Sequence, residues 1–153
     1  MLAKCSAVLA SVTLVLALVA PAALSQAKHQ TPPSVAGHKT TYVTNDCRHV
    51  KARPQKIVFA CADFNFYVTN LRWWFWGLNW AAGQGRFHQN DCKPNCAAGT
   101  FHQRNGKLLL TEPRLCSGIN KWVFTKVRIH YNRPLVGRHG AALTLGCPLP
   151  LRS

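Results

Sequence analysis

The densest group of side chains suited to ligand binding is an aromatic cluster in the middle of the chain. It combines five rings with one cation: Arg72, Trp73, Trp74, Phe75, Trp76 and Trp80. Successive side chains of a strand point to opposite faces, so a strand here would carry rings on both. Two interpretations stay open: a central strand covered on both faces, or an exposed platform that stacks on sugar rings or anchors at a membrane interface. Arg72 could bind a phosphate or carboxylate through two parallel hydrogen bonds.

Histidines and cations provide a second candidate chemistry, the cleavage of RNA. In a ribonuclease-type enzyme, His88 and His102 would serve as acid and base, and Lys107 would stabilise the developing charge. The segment Gly85–Gln89 is echoed by Gly99–Gln103. If the two copies pair as antiparallel strands, both histidines would share one face of the sheet. The spacing alone does not bring them to one pocket.

Other catalytic classes lack their sequence signatures. The chain contains no Gly-x-Ser-x-Gly nucleophile motif and no glycine-rich phosphate loop. Glycoside hydrolysis needs a pair of carboxylates, and only four acidic residues are present: Asp46, Asp63, Asp91 and Glu112. We therefore expect a binding protein rather than an enzyme, with no cofactor.

The cysteine content indicates a disulfide framework. Cys5 lies within the N-terminal leader, and six further cysteines follow it: Cys47, Cys61, Cys92, Cys96, Cys116 and Cys147. An even number in an exported chain predicts three disulfides, whose pairing the sequence leaves open. The segment from Cys92 to Cys96 with His88 and His102 nearby also imitates a zinc site. Oxidised cysteines are not zinc ligands, so no metal is predicted.

The N-terminus has the composition of a secretory signal peptide. Lys4 precedes an apolar run, and small residues follow Pro21. Cleavage is expected after Ser25, or else after Ala27, which gives a signal peptide at 1–25, a flexible linker at 26–39 and a single β domain at 40–153. The alternative is an uncleaved membrane anchor, because the apolar run is nearly long enough to span a bilayer.

The charge balance is strongly positive. The whole chain has a formal net charge of +15, and loss of Lys4 with the leader lowers it to +14. Such a field attracts anionic partners, which include cell-wall polymers, lipid surfaces and nucleic acid. The cations are scattered, so any nucleic-acid binding would be non-specific.

Strand composition dominates the chain after the leader. Short β-branched or alternating runs are separated by turn-forming residues, and the clearest strands are expected at 66–76 and 122–131. Asn105-Gly106 is typical of a two-residue hairpin turn. We predict an all-β fold, a small antiparallel sandwich or barrel with disulfides, after an N-terminal signal helix.

The middle of the chain resembles a family of small secreted proteins from actinobacteria, mycobacteria included. The resemblance covers about 54–110 and rests on four segments: Cys61-Ala62-Asp63, Leu71-x-Trp73-x-x-Trp76-Gly77, Gly83-x-Gly85, and Asn90-Asp91-Cys92-x-Pro94-x-Cys96-Ala97-x-Gly99-x-Phe101. It implies export and assigns no activity, cofactor or catalytic residue. Phe64 stands where the family usually has a small residue, often glycine, so we expect the turn after Asp63 to differ.

These observations lead to one expected function and two alternatives. We expect a secreted basic protein that binds anionic or carbohydrate material of the cell envelope or surroundings, with Arg72, Trp73, Trp74, Trp76 and Trp80 as the candidate binding residues. The first alternative is the ribonuclease-type enzyme described above. The second is a cationic antimicrobial or toxin-like protein, which would release dye from anionic vesicles.

Overall fold

A computed structural model describes residues 37–148, and nearly all regular structure in this range is β-strand. The predicted signal peptide (1–25) and the linker up to residue 36 lie outside the described residues. In the described range no helix is long and apolar enough to cross a membrane. The predicted all-β, antiparallel, disulfide-bonded fold is confirmed.

Six strands form one curled antiparallel sheet in which each strand pairs with the next along the chain. Two shorter strands, β1 (Val43–Thr44) and β2 (Val50–Lys51), form a separate two-stranded sheet. The strands of the large sheet are β3 (Ile57–Val58), β4 (Phe66–Trp76), β5 (Ala81–Asn90), β6 (Phe101–Cys116), β7 (Lys121–Leu135) and β8 (Arg138–Thr144). Between β6 and β7 lies a single-turn 3-10 helix, Ser117–Ile119.

One face of the large sheet carries the hydrophobic core. The pairing of β6 with β7 places Leu108 opposite Ile129 and Leu110 opposite Val127, and all four side chains are buried. The pair next to Leu108 and Ile129, Lys107 opposite His130, lies on the other face, where both side chains are exposed. Because side chains alternate along a strand, burial of one face determines which residues are presented on the other.

The N-terminal segment completes the curl by pairing with a strand distant in sequence. The amide of Tyr42 donates to the carbonyl of Trp122, and the amide of Phe124 donates to the carbonyl of Tyr42, with donor–acceptor distances of 2.9 Å each. The resulting bridge is parallel, and Val43 beside it is fully buried. Within the described range, this segment is therefore part of the core.

Asn105 and Gly106 do not form the predicted hairpin turn. They lie in the middle of β6, opposite Arg86 and Gly85 of β5. The reason for the glycine is packing: a Cβ on Gly106 would lie 2.6 Å from the carbonyl oxygen of His130 and 3.1 Å from the Phe87 ring. Close backbone approach, rather than turn geometry, accounts for this residue.

The hairpin turn that the sequence analysis missed lies between β7 and β8. Val136 and Gly137 have φ angles of 46° and 75°, the combination that a two-residue type I′ turn requires. Asn132-Arg133-Pro134 also has the composition of a turn, but it does not end the strand, because β7 continues to Leu135 with an irregular register after His130.

The turn after Asp63 keeps a conformation that favours glycine although Phe64 occupies it. Phe64 has a φ of 57° and a side chain that is 52% exposed. A non-glycine residue in the left-handed region costs roughly 1–2 kcal/mol. The Asp63 carboxylate accepts a hydrogen bond from the amide of Asn65, which holds the turn in this form.

Three disulfides join the six cysteines of the described range. They link Cys47 to Cys61, Cys92 to Cys96, and Cys116 to Cys147, which confirms the predicted number and settles the pairing. The last of them has the largest sequence separation, 31 residues, and ties the segment after β8 to the end of β6.

Removal of the third disulfide should destabilise the domain most. Loop-closure entropy predicts that the Cys116→Ser/Cys147→Ser variant loses about 2 kcal/mol more unfolding free energy than Cys92→Ser/Cys96→Ser, because their sequence separations are 31 and 4. Urea denaturation of both variants measures the difference. Equal losses would contradict the loop-length explanation.

The packing of Gly106 predicts a second stability change. Gly106→Ala should lower the unfolding free energy by about 1–3 kcal/mol, because backbone and a buried ring would both have to move. Gly118→Ala is the control, since a Cβ at Gly118 meets nothing within 4 Å, and its effect should stay within about 0.5 kcal/mol. Chemical denaturation that finds both variants equally stable would refute this account.

Candidate anion-binding groove

A polar groove crosses the outer face of the large sheet over strands β4, β5 and β6 and the end of β7. Its volume is about 380 Å³. Three cations, four carboxamides and two glycines line it: Arg72, Arg86 and Lys107; Asn70, Gln84, Asn105 and Asn132; and Gly85 and Gly106. No carboxylate is among these residues.

Strand register explains why these side chains meet. Arg72 lies opposite Gln84, which in turn lies opposite Lys107, so that three adjacent strands present one polar row. The next outward row contains Arg86 and Asn105. The polar side chains that β5 and β6 contribute to the groove therefore occupy outward positions, whose inward neighbours belong to the core. Gly85 and Gly106, which are at inward positions, contribute backbone to the floor of the groove.

A bulge in β4 shapes one wall of the groove. The register between β4 and β5 shifts between Thr69 and Arg72, and Asn70 adopts a φ of 52°. Asparagine tolerates this left-handed conformation better than most residues. The extra residue turns Leu71 into the core, where it is buried, and leaves Arg72 exposed on the outer face.

The three cations of the groove have no protein partner among residues 37–148. Neither a salt bridge nor a side-chain hydrogen bond involves Arg72, Arg86 or Lys107. Three like charges along one groove repel each other, most strongly at low salt, and a bound anion would relieve this repulsion. The four carboxamides likewise make no side-chain hydrogen bond within the described residues.

Three of the four acidic residues are engaged in local structure elsewhere. Asp46 accepts a hydrogen bond of 2.8 Å from Nδ1 of His49, and Asp91 accepts one of 2.9 Å from Nε2 of His102. Asp63 binds the amide and side chain of Asn65. None of these carboxylates is available to neutralise the groove.

The aromatic cluster divides between the core and the surface. The indole N–H of Trp73 donates to the carbonyl of Pro54 at 2.8 Å, and that of Trp76 donates to the carbonyl of Thr41 at 3.0 Å. Both rings pack against the hydrophobic core. These two candidates thus serve the fold, and a buried indole that donates to a backbone carbonyl leaves no free polar atom for a ligand.

The other two candidate tryptophans lie on the surface. Trp74 is 56% exposed and Trp80 is 42% exposed. Trp80 stacks on Phe75, with ring centroids 3.8 Å apart and an angle of 21° between the planes. Phe75 is itself 39% exposed. The cluster is therefore partly covered by the core and partly exposed to solvent.

The candidate catalytic histidines lie on opposite faces of the sheet. The two echoed segments do pair as antiparallel strands, but His88 lies opposite Gln103, and His102 lies opposite Gln89. The one-residue offset reverses the expected face of His102. Lys107 lies in the groove, two outward rows away from Gln103. The structure does not bring the three residues together.

His88 has a defined environment of its own. Its Nε2 is 2.9 Å from the Thr69 hydroxyl, and its ring stacks on Tyr67 with centroids 4.5 Å apart. Partial burial lowers the pKa of His88, and the positive charges of Arg86 and Lys56 lower it further. At neutral pH His88 is therefore an uncharged residue between Tyr67 and the groove.

The candidate zinc segment is a disulfide loop. Cys92 and Cys96 are bonded to each other, and their thiolates are unavailable to a metal. Within residues 37–148 no three histidine, cysteine or acidic side chains converge on one point. The loop is held by Asn90, whose side-chain nitrogen donates to the carbonyl of Cys96 and whose oxygen accepts from the amide of Cys92.

Sequence reasoning identified Arg72 and Lys107 in separate contexts and missed the other polar groove residues. Their signal is the alternation of polar and apolar or small residues along β5 and β6, as in Gln84, Arg86 and Asn105. Such alternation indicates a binding site only once the register that aligns the three strands is known. The sequence alone does not give this register.

Comparison with known proteins found no relative of this chain. No family model, no curated protein and no solved structure matches the chain.

The hydrogen bonds of the Asp91 carboxylate should make the local structure around it depend on pH. Hydrogen bonds from His102, then from the amides of Thr100 and Lys93, lower the pKa of Asp91 from 3.8 to about 2. A depressed carboxyl pKa stabilises the fold above pH 3.8, and this stabilisation is lost as the pH falls through about 2.

The Thr100 amide resonance should therefore titrate with a midpoint near pH 2 in an NMR experiment. In His102→Leu the midpoint should rise towards 3.8, because the largest stabilising hydrogen bond is removed. A midpoint that does not change in this variant would rule out the role assigned to His102.

Proposed function

We propose that this protein is exported and binds acidic polymers of the cell envelope or its surroundings through the groove. The observation that carries the proposal is the set of three cations, Arg72, Arg86 and Lys107, that have no protein partner within residues 37–148. They lie beside four carboxamides that make no side-chain hydrogen bond in the same range. Arginine side chains bind carboxylate or phosphate in bidentate fashion, and lysine adds a mobile point charge.

The whole domain reinforces the local charge. The chain has 19 basic residues and 4 acidic ones, and the acids that have partners are bonded to groups outside the groove. A uniform positive field raises the rate at which a polyanion is captured, and the groove then orients it. Binding of this kind needs no catalytic group.

Export is supported by the leader-like N-terminus and by the three disulfides. Crosslinks of this number are typical of small domains that work in an oxidising space. The resemblance to secreted actinobacterial proteins points in the same direction. In that setting the abundant polyanions are wall polymers, acidic polysaccharides and anionic lipids.

Removal of the groove charges should weaken binding to an acidic polymer. The Arg72→Gln/Arg86→Gln/Lys107→Gln variant should bind dextran sulfate about tenfold more weakly at low salt, since three exposed contacts of about 0.5 kcal/mol each are lost. Titration calorimetry at several salt concentrations measures both affinity and salt dependence. The wild-type affinity should fall steeply as salt is raised.

A charge-matched variant separates the groove from net charge. Arg48→Gln/Lys51→Gln/Lys93→Gln removes the same charge from exposed positions outside the groove and should bind almost as the wild type does. Equal weakening in both variants would show that only net charge matters, and the groove would lose its assigned function.

A further inference from the structure

The exposed aromatic stack adjoins the groove on the same face of the sheet. Phe75 lies opposite Ala82, and the next outward pair along the two strands is Arg72 with Gln84. Two residues of a strand span roughly 7 Å, so the stack and the first polar row are immediate neighbours. The small side chain of Ala82 places no bulky group between them.

The stack is held in place before any ligand arrives. The amide of Gly77 donates to the carbonyl of Trp80 at 2.9 Å, which closes the hairpin between β4 and β5. A Cβ on Gly77 would lie 2.9 Å from the Phe75 ring, so the ring rests directly over this glycine. Rigid aromatic groups bind ligand rings at a low entropic cost.

The polar lining indicates the chemistry of the ligand. Each carboxamide of Asn70, Gln84 and Asn105 offers both donors and an acceptor. A hydroxyl group can satisfy both, whereas the oxygens of a phosphodiester backbone only accept. Among linear polyanions, an acidic polysaccharide carries hydroxyls along its whole length together with acid groups, so it can satisfy the carboxamides and the cations of the groove together.

We propose that the ligand of the groove is an acidic polysaccharide with one sugar ring stacked on Phe75 and Trp80. This inference rests on the function proposed above and specifies its ligand. The acid groups bind Arg72, Arg86 and Lys107, and the hydroxyls bind the carboxamides. From Ala82 to Arg86 the site spans on the order of 13 Å, so it accommodates an oligomer rather than a single sugar.

The test measures the affinity of the disulfide-bonded domain for three defined probes. These are an oligogalacturonate, a neutral malto-oligosaccharide of equal length, and a single-stranded oligouridylate of equal charge. The oligogalacturonate should bind most tightly. If the oligouridylate binds more tightly at matched charge and salt, the assignment to a polysaccharide is overturned.

Variants of the stack test the sugar-ring contact. Trp80→Ala should weaken oligogalacturonate binding about three- to tenfold, whereas Trp80→Phe should retain most of the affinity because a ring remains. Leu115→Ala, at an exposed apolar residue near the far end of β6, should bind as the wild type does. Near-ultraviolet circular dichroism verifies that each variant is folded.

The outcomes distinguish this inference from the function on which it rests. If Trp80→Ala and Trp80→Phe bind as tightly as the wild type while the triple groove variant binds weakly, the stacking contact is refuted and the groove stands. If the triple variant binds oligogalacturonate as tightly as the wild type, the proposed function itself fails.

Discussion

Burial of one face of a continuous antiparallel sheet is the constraint on which the rest of the structure depends. Strands β4 to β7 place Val68, Phe87, Leu108 and Val127 in a shared core. Since a strand alternates its side chains, a shift of one residue in any pairing would expose these groups. The same constraint fixes the outer positions, so the groove is a by-product of the register that protects the core.

Glycines allow the sheet to curl around large aromatic residues. Gly85 and Gly106 are paired across β5 and β6, and Phe87 packs beside Gly106 and against Tyr131. A side chain at Gly106 would occupy the space of the Phe87 ring. The absence of a side chain at Gly106 therefore leaves room for the Phe87 ring in the core, on the face opposite the groove side chains.

The sequence predicts those elements for which the local residue pattern and the tertiary contacts favour the same structure. The strand at 66–76 and the three disulfides could be predicted, because β-branched and aromatic residues and an even number of cysteines are visible in the sequence itself.

β8 was not predicted. Arg138–Thr144 contains glycine and alanine, which have little preference for strands, and the strand forms by pairing with β7. Asn105-Gly106 was predicted to be a turn because the pair is typical of hairpin turns. In the structure the pair lies within β6, where the glycine allows close packing. The groove could not be derived, since its residues come from four strands aligned only by the fold.

The charge on the last strand has a consequence for self-association. β8 pairs only with β7 in the described sheet, so its other side presents the backbone groups that could recruit a second molecule. Arg138 begins this strand, His139 follows it, and no carboxylate lies within it. Two such edges repel each other electrostatically. The positive charge that attracts a polyanion therefore also opposes the edge-to-edge association of two copies of this domain.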